Sequence, residues 1–244
     1  MAKALQKVDK VRASRDGHEY HEAWTARKAM QLLLGDDHLV GIAVEGLDPD
    51  DQTRATPETV EVADLTLYYG KGTGFEYADG VDVVQFKYSP SQENAAFRTS
   101  DAKKTIAKFA ESYRNYEKLY GAQEVEKKLR FQLVTNRPIY PQFTQAIRAL
   151  ATGKSPSGEV RKQARQFTVA AGLKGEALAA FAGKCQFLGE SSSLILLVLQ
   201  RYEKGSPLHA TAKFTHTIAV IRVTKSLDVK YYRGRVNHLF VSKS

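Results

Sequence analysis

A single cysteine, Cys185, stands among the 244 residues, so the chain has neither an intramolecular disulfide nor a Cys-x-x-Cys zinc site. In "FAGKCQFLG" it reads as a small core residue rather than a nucleophile. Long apolar runs are missing too. The longest, Leu194 to Leu199, is far too short to span a bilayer. The opening "MAKALQKVDKVRASRDG" has no apolar stretch of the kind a signal peptide needs. The expectation is a soluble, cytoplasmic protein with no membrane partner. Negative charge is the scarcer sign: 27 acidic residues face 36 Lys and Arg, giving a net charge of +9. Such an excess favours polyanions, because each neutralised phosphate releases counterions. No internal repeat or low-complexity tract interrupts the chain, and a hydrophobic fraction of 43% is ample for a core.

Several familiar motifs are absent on inspection. "HEYHE" is not H-E-x-x-H, because position 22 is Glu. "ATGKSPSG" has Arg148 where a P-loop needs its first Gly, and it follows a helical pattern rather than a strand. "GKGTGFEYADG" has no G-x-G-x-x-G continuation, and no G-x-S-x-G occurs.

Residues 1–14 read as a basic lead-in. Asp16 and Glu19 have capping-box spacing and open a helix to about Leu34. Three strands follow: Leu39 to Glu45, Val60 to Tyr69 and Val81 to Tyr88, with residues 46–58 as a loop. "SDAKKTIAKFAESYRNYEKLY" repeats apolar residues at helical spacing, and "LRFQLVT" is a fourth strand. Helices are expected at about 141–151, 157–171, 174–183 and 192–203. The α-β-β-β-α-β order predicts an α/β core with helices on both faces of the sheet. The organisation expected is one domain over 15–205 and an extension over 206–244, where "TIAVIRVT" fits a strand or a helix.

Three pieces of these strands carry chemistry. Glu45 closes the first, Asp64 lies in the second, and Gln85 and Lys87 share one face of the third. Polar groups on apolar strands are costly unless paired or bound to metal. Two acids and an amide oxygen suit Mg²⁺ or Mn²⁺, with Glu45, Asp64 and Gln85 as ligands and the Phe86 carbonyl as a further donor. The Lys87 ammonium would orient a water and offset charge on a phosphodiester. The plainer alternative is a cross-strand salt bridge between Asp64 and Lys87. On the first helix, Glu22 extends the apolar stripe and is a second-line candidate. Its neighbours His18 and His21 read as surface or phosphate-facing residues. Lys103, Lys104 and Lys108 follow the Q-x-K strand. Arg15, His18, Lys71, Tyr88 and Arg137 are candidate DNA contacts near strand ends.

The pieces "SRDGHEYHEA", "IAVEGLDPDD", "VEVADLTLYY", "VVQFKYS" and "LVTNRPI", in this order over about residues 11–205, resemble the PD-(D/E)xK nuclease superfamily. More closely, they resemble the N-terminal double-stranded DNA endonuclease domain of bacterial anti-phage effectors, namely CD-NTase-associated effectors and antiviral STAND NTPases. The resemblance implies a restriction-endonuclease-like core with additional C-terminal helices and an Mg²⁺-dependent endodeoxyribonuclease. Its acid pair falls on Glu45 and Asp64 and its Q-x-K on Gln85 and Lys87. It also implies activation by homo-oligomerisation, and a C-terminal sensor or NTPase module in a longer effector. Gln85 stands where the superfamily more often has an acid. The competing readings are a nucleic-acid-binding module with weak or no catalysis, a nuclease acting on RNA, and a purely structural basic domain.

Overall fold

A computed structural model describes residues 17–18, 20–29, 31–32, 38–189, 228–234 and 236–242. Helix α1 covers the described part of 17–32 and leads into β1 (Leu39–Val44). The stretch 46–58, expected as a loop, instead holds α2 (Pro49–Arg54) and begins α3 (Pro57–Glu61). Each starts with a capping side chain followed by proline, whose missing N–H has no helical partner to lose at that position. Asp48 accepts from the Asp50 N–H at 3.0 Å, and Thr56 Oγ1 accepts from the Thr59 N–H at 3.4 Å. The second strand is correspondingly shorter than expected: β2 is Leu65–Gly70, and Val60 belongs to α3.

β3 (Ala78–Lys87) is followed by the long helix α4 (Thr99–Tyr120), then α5 (Ala122–Lys128) and β4 (Leu129–Thr135). Helices α6 (Pro141–Ala151), α7 (Gly158–Ala171) and α8 (Gly175–Lys184) match the expected helices to within a residue or so. A short strand, β5 (Cys185–Leu188), comes next. The expected helix at 192–203 and the "TIAVIRVT" segment lie outside the described residues.

The strands form one mixed sheet in the order β5-β4-β3-β2-β1-β7-β6, where β6 is Asp228–Gly234 and β7 is Val236–Ser242. β1, β2 and β3 meander antiparallel, and α4 carries the chain back so that β4 lies parallel to β3. β7 pairs antiparallel with β1, so part of the expected extension joins the sheet of the main domain. The protein is therefore an α/β fold.

Alternation along β3 builds both faces of the core. Val81 and Val83 join Phe131, Ile106 and Phe109 on the α4 side, where Phe109 stacks on Phe131 at 4.8 Å. Val84 and Phe86 join Leu65, Leu67, Trp24 and Leu32 on the α1 side. Behind α4, α7 packs along it and α6 packs on α7 and α8.

The segment joining β1 to β2 is fixed by a buried carboxylate. Asp51 accepts from the Phe75 N–H at 3.0 Å and from the Tyr68 and Tyr120 hydroxyls, each at 3.1 Å. Satisfying a buried carboxylate in this way ties α2 to β2, to the β2–β3 turn and to the end of α4.

Candidate active site

Strand register brings the predicted residues together. β1 and β2 pair Val44 with Leu65, and β2 and β3 pair Leu65 with Val84. One step beyond, the same register aligns Glu45, Asp64 and Gln85 in a row across three chains. The Glu45 N–H donates to the Asp64 carbonyl at 2.9 Å, which continues that row past the end of the strands. Asp64 precedes β2 rather than lying within it, which leaves its carboxylate at the lip of the sheet. There Oδ2 accepts from the Phe86 N–H at 2.7 Å.

Glu45 is exposed and has φ 53°, left-handed backbone that costs a side-chain-bearing residue about 1–2 kcal/mol. Strain of this kind persists where surrounding structure imposes it. Here the ladder from β1 and the cap of α2 bracket the residue on both sides.

Burial pushes the Asp64 carboxyl up from 3.8 to about 6, and nearby Glu45 adds to the rise. The Phe86 N–H bond and the Lys87 and Lys108 ammoniums pull the other way without cancelling it. Lys87 lies one pleat beyond Gln85 on the same face. Burial lowers its pKa, Asp64 opposes that, and Lys108 and Lys104 reinforce it. The cross-strand salt bridge is not formed: no ion pair within 4.0 Å joins Asp64 to Lys87. The ammonium is a neighbour of the carboxylate rather than its bonded partner.

Gln85 is 7% exposed, and its Oε1 accepts from Thr105 Oγ1 of α4 at 2.6 Å. Lys108, one turn further along α4, is held by Glu61 at 2.6 Å. Two acids, one amide and three lysines thus converge at one end of the sheet.

α1 brings a different residue than the apolar stripe suggested. Glu22 is exposed and makes no hydrogen bond or ion pair among the described residues. The His21 ring lies on Phe86, with centroids 4.8 Å apart. Burial, then His18 and Lys87, lowers the His21 pKa to about 4, so the imidazole is neutral at physiological pH. His18 is exposed. Tyr88 stacks on Tyr20 at 5.1 Å. Arg15 lies outside the described residues.

Arg137 does not face a ligand. Its guanidinium donates to Ala95 O at 2.8 Å, Ala96 O at 3.0 Å and Gln92 Oε1 at 3.0 Å, and pairs with Asp101 at 3.1 Å. It is a buried tie for the loop after β3, with four of its five N–H donors engaged within the protein. Lys71 follows β2, at the opposite end of the sheet from Asp64. There it borders a concavity of about 810 Å³ whose Asp82 is already bound by Arg130 at 2.6 Å and Gln132 at 2.7 Å.

The donors in the row are all oxygen, as Mg²⁺ and Mn²⁺ prefer. A desolvated carboxylate beside a second acid is the environment that a divalent cation relieves. Among the described residues no group of three or more His, Cys, Asp or Glu gathers as a metal cage. The residues that could hold a cation here are two carboxylates, Glu45 and Asp64, and the Gln85 amide oxygen, with the Phe86 carbonyl as the expected further donor.

No protein-family model matches the chain, and no curated protein matches it significantly.

Proposed function

We propose that the chain is a metal-dependent endonuclease that hydrolyses the phosphodiester backbone of double-stranded DNA. The observation that carries this reading is the row of Glu45, Asp64 and Gln85 with Lys87 one pleat further on the same face. It is supported by the +9 net charge and by the succession α1, β1, β2, β3, α4, β4, which follows the expected α-β-β-β-α-β order once the short helices α2, α3 and α5 are set aside. Glu45, Asp64, the Gln85 amide oxygen and the Phe86 carbonyl would hold Mg²⁺ or Mn²⁺. The cation would supply charge neutralisation at the phosphate and acidify a water.

The chain's own groups do the rest. Lys87, exposed at the end of β3 and in no ion pair among the described residues, offers its ammonium to the phosphoryl oxygens as negative charge grows on them in the transition state. Lys104 and Lys108 raise the local positive potential that draws the backbone in. His21 on Phe86, being neutral, adds no positive charge of its own beside Lys87. Hydrolysis adds the water oxygen to phosphorus and breaks one P–O bond of the strand. Use in phage defence, activation by homo-oligomerisation and attachment to a sensor or NTPase module belong to the same proposal and rest on the resemblance alone.

One observation favours the competing binding module: residue 85 is a neutral amide whose oxygen is already shared with Thr105. Plasmid cleavage in Mg²⁺ or Mn²⁺, wild type against Lys87→Ala, separates the two. The nuclease reading expects metal-dependent nicking or linearisation that falls at least about 100-fold in the variant, the size of a lost electrostatic group. Intact plasmid with wild type at every protein concentration, together with salt-labile DNA binding, would leave the binding module standing. Cleavage of RNA but not DNA would redirect the substrate.

A further inference from the structure

Thr105 lies in the second turn of α4, 1% exposed. A threonine inside a helix commonly gives its hydroxyl hydrogen to the carbonyl four residues back. Thr152 and Thr168 do so here, to Arg148 O and Ala164 O, each at 2.9 Å. Thr105 instead sends its hydrogen across to the sheet, to Gln85 Oε1 at 2.6 Å. The Gln85 amide nitrogen has no hydrogen-bond partner among the described residues, and with Thr105 as the donor it is the amide oxygen that turns toward α4. The oxygen keeps a second lone pair free.

We propose that Thr105 is a positioning residue that holds the Gln85 amide oxygen as a donor to a divalent cation shared with Asp64. The requirement follows from residue 85 being glutamine. A carboxylate there would offer two equivalent oxygens, and either rotation would serve. An amide turned over would present N–H hydrogens to a cation and repel it. A hydroxyl on α4 that donates to the oxygen is therefore the counterpart of having an amide in the row. The same contact joins the helix that carries Lys104 and Lys108 to the strand that carries Lys87. The nature of the ligand, a divalent cation, rests on the nuclease reading.

The test is Mn²⁺ binding without DNA, read from the paramagnetic resonance signal of free Mn²⁺. Wild type is compared with Asp64→Asn, Thr105→Val, Thr105→Ser, Gln85→Glu and the Gln85→Glu/Thr105→Val double variant. Loss of a hydrogen bond that orients a ligand lowers metal affinity about 10- to 100-fold, and Thr105→Val is expected to fall in that range. Thr105→Ser, which keeps the hydroxyl, should stay within about threefold of wild type, and in the Gln85→Glu background the valine should cost no more than that. Thr105→Ala replaces the valine variant if circular dichroism shows that the latter does not fold. Binding by Thr105→Val equal to wild type overturns the proposal. So does an equal loss in both backgrounds, which would make Thr105 a packing residue. If wild type binds no Mn²⁺ through Asp64, the nuclease reading fails along with it. If wild type binds Mn²⁺ through Asp64 and Thr105 is indifferent, only this inference fails.

Discussion

Asp64→Asn should stabilise the protein while abolishing the proposed metal-dependent cleavage. The folded carboxyl holds its proton up to about pH 6, against 3.8 ordinarily, chiefly because burial strips it of water. Between those values the folded chain is protonated at Asp64 where the unfolded chain is not, so this group's contribution to stability falls as pH rises through the window. Below 3.8 the penalty is absent, and above about 6 it is complete. At 1.36 kcal/mol per decade, a rise from 3.8 to about 6 corresponds to about 3 kcal/mol. Asparagine also loses some hydration on burial, which leaves about 2 kcal/mol of expected gain. Its carbonyl can still accept the Phe86 N–H, so no buried donor is orphaned. For a domain of this size that is about 4–8 °C in Tm. Thermal unfolding of both proteins in EDTA, from pH 3.5 to 8, should give a Tm difference near zero at the acid end and a plateau above about pH 6. Adding Mg²⁺ should then raise the Tm of wild type and leave the variant unmoved. A variant no more stable than wild type at pH 8, or a difference that does not change with pH, would refute the electrostatic account of this site.

Arg137→Ala should cost about 3 kcal/mol in urea unfolding, because it leaves the Ala95 and Ala96 carbonyls without their donor and frees the 92–96 loop. DNA affinity per folded molecule should be unchanged; weakened binding at unchanged stability would restore Arg137 as a phosphate contact. Glu45→Gly should leave stability within about 1 kcal/mol of wild type, since relief of left-handed strain offsets the added chain entropy. Cleavage should nonetheless be lost, and an active Glu45→Gly enzyme would remove Glu45 from the metal set.

The parts of the fold that could be read in the sequence are those whose burial imposes a period. β3 alternates Val83, Gln85 and Lys87 with Val84, Phe86 and Tyr88, and two cores, one under α4 and one under α1, hold that alternation in place. α4 repeats Ile106, Phe109 and Tyr113 for the same reason. α2 and α3 were misread because their sequence is polar and rich in Pro, Asp and Thr, as loops are. The signals that identify them are Asp48-Pro49 and Thr56-Pro57, each a cap followed by proline. On α1 the stripe of Ala26, Ala29 and Leu33 suggested Glu22 as the inward acid. Trp24 and Tyr20 pack against Phe86 and set the helix's rotation, so that His21 meets the site instead. Arg137 looked like a free cation at a strand end; its acceptors lie 36 to 45 residues away, beyond the reach of any local pattern.

The same division runs through the candidate site. Its composition is local: Glu45 just after β1, Asp64 just before β2 and Gln85 within β3, aligned because the apolar residues beside them fix the register. A slip of one residue would turn Val83 and Gln85 to the α1 side and Val84 and Phe86 to the α4 side, at the expense of both cores. The core therefore specifies the row, and the row can be read from the strands. Its tuning is non-local. Thr105 reaches Gln85 from 20 residues away, and Glu61 holds Lys108 across the α3–α4 contact. The burial that raises Asp64 belongs to the whole lip of the sheet. Residue types that carry charge on apolar strands announce themselves by their cost. A threonine inside a helix costs little and so gives little signal, although here it is the residue that donates to the Gln85 amide oxygen.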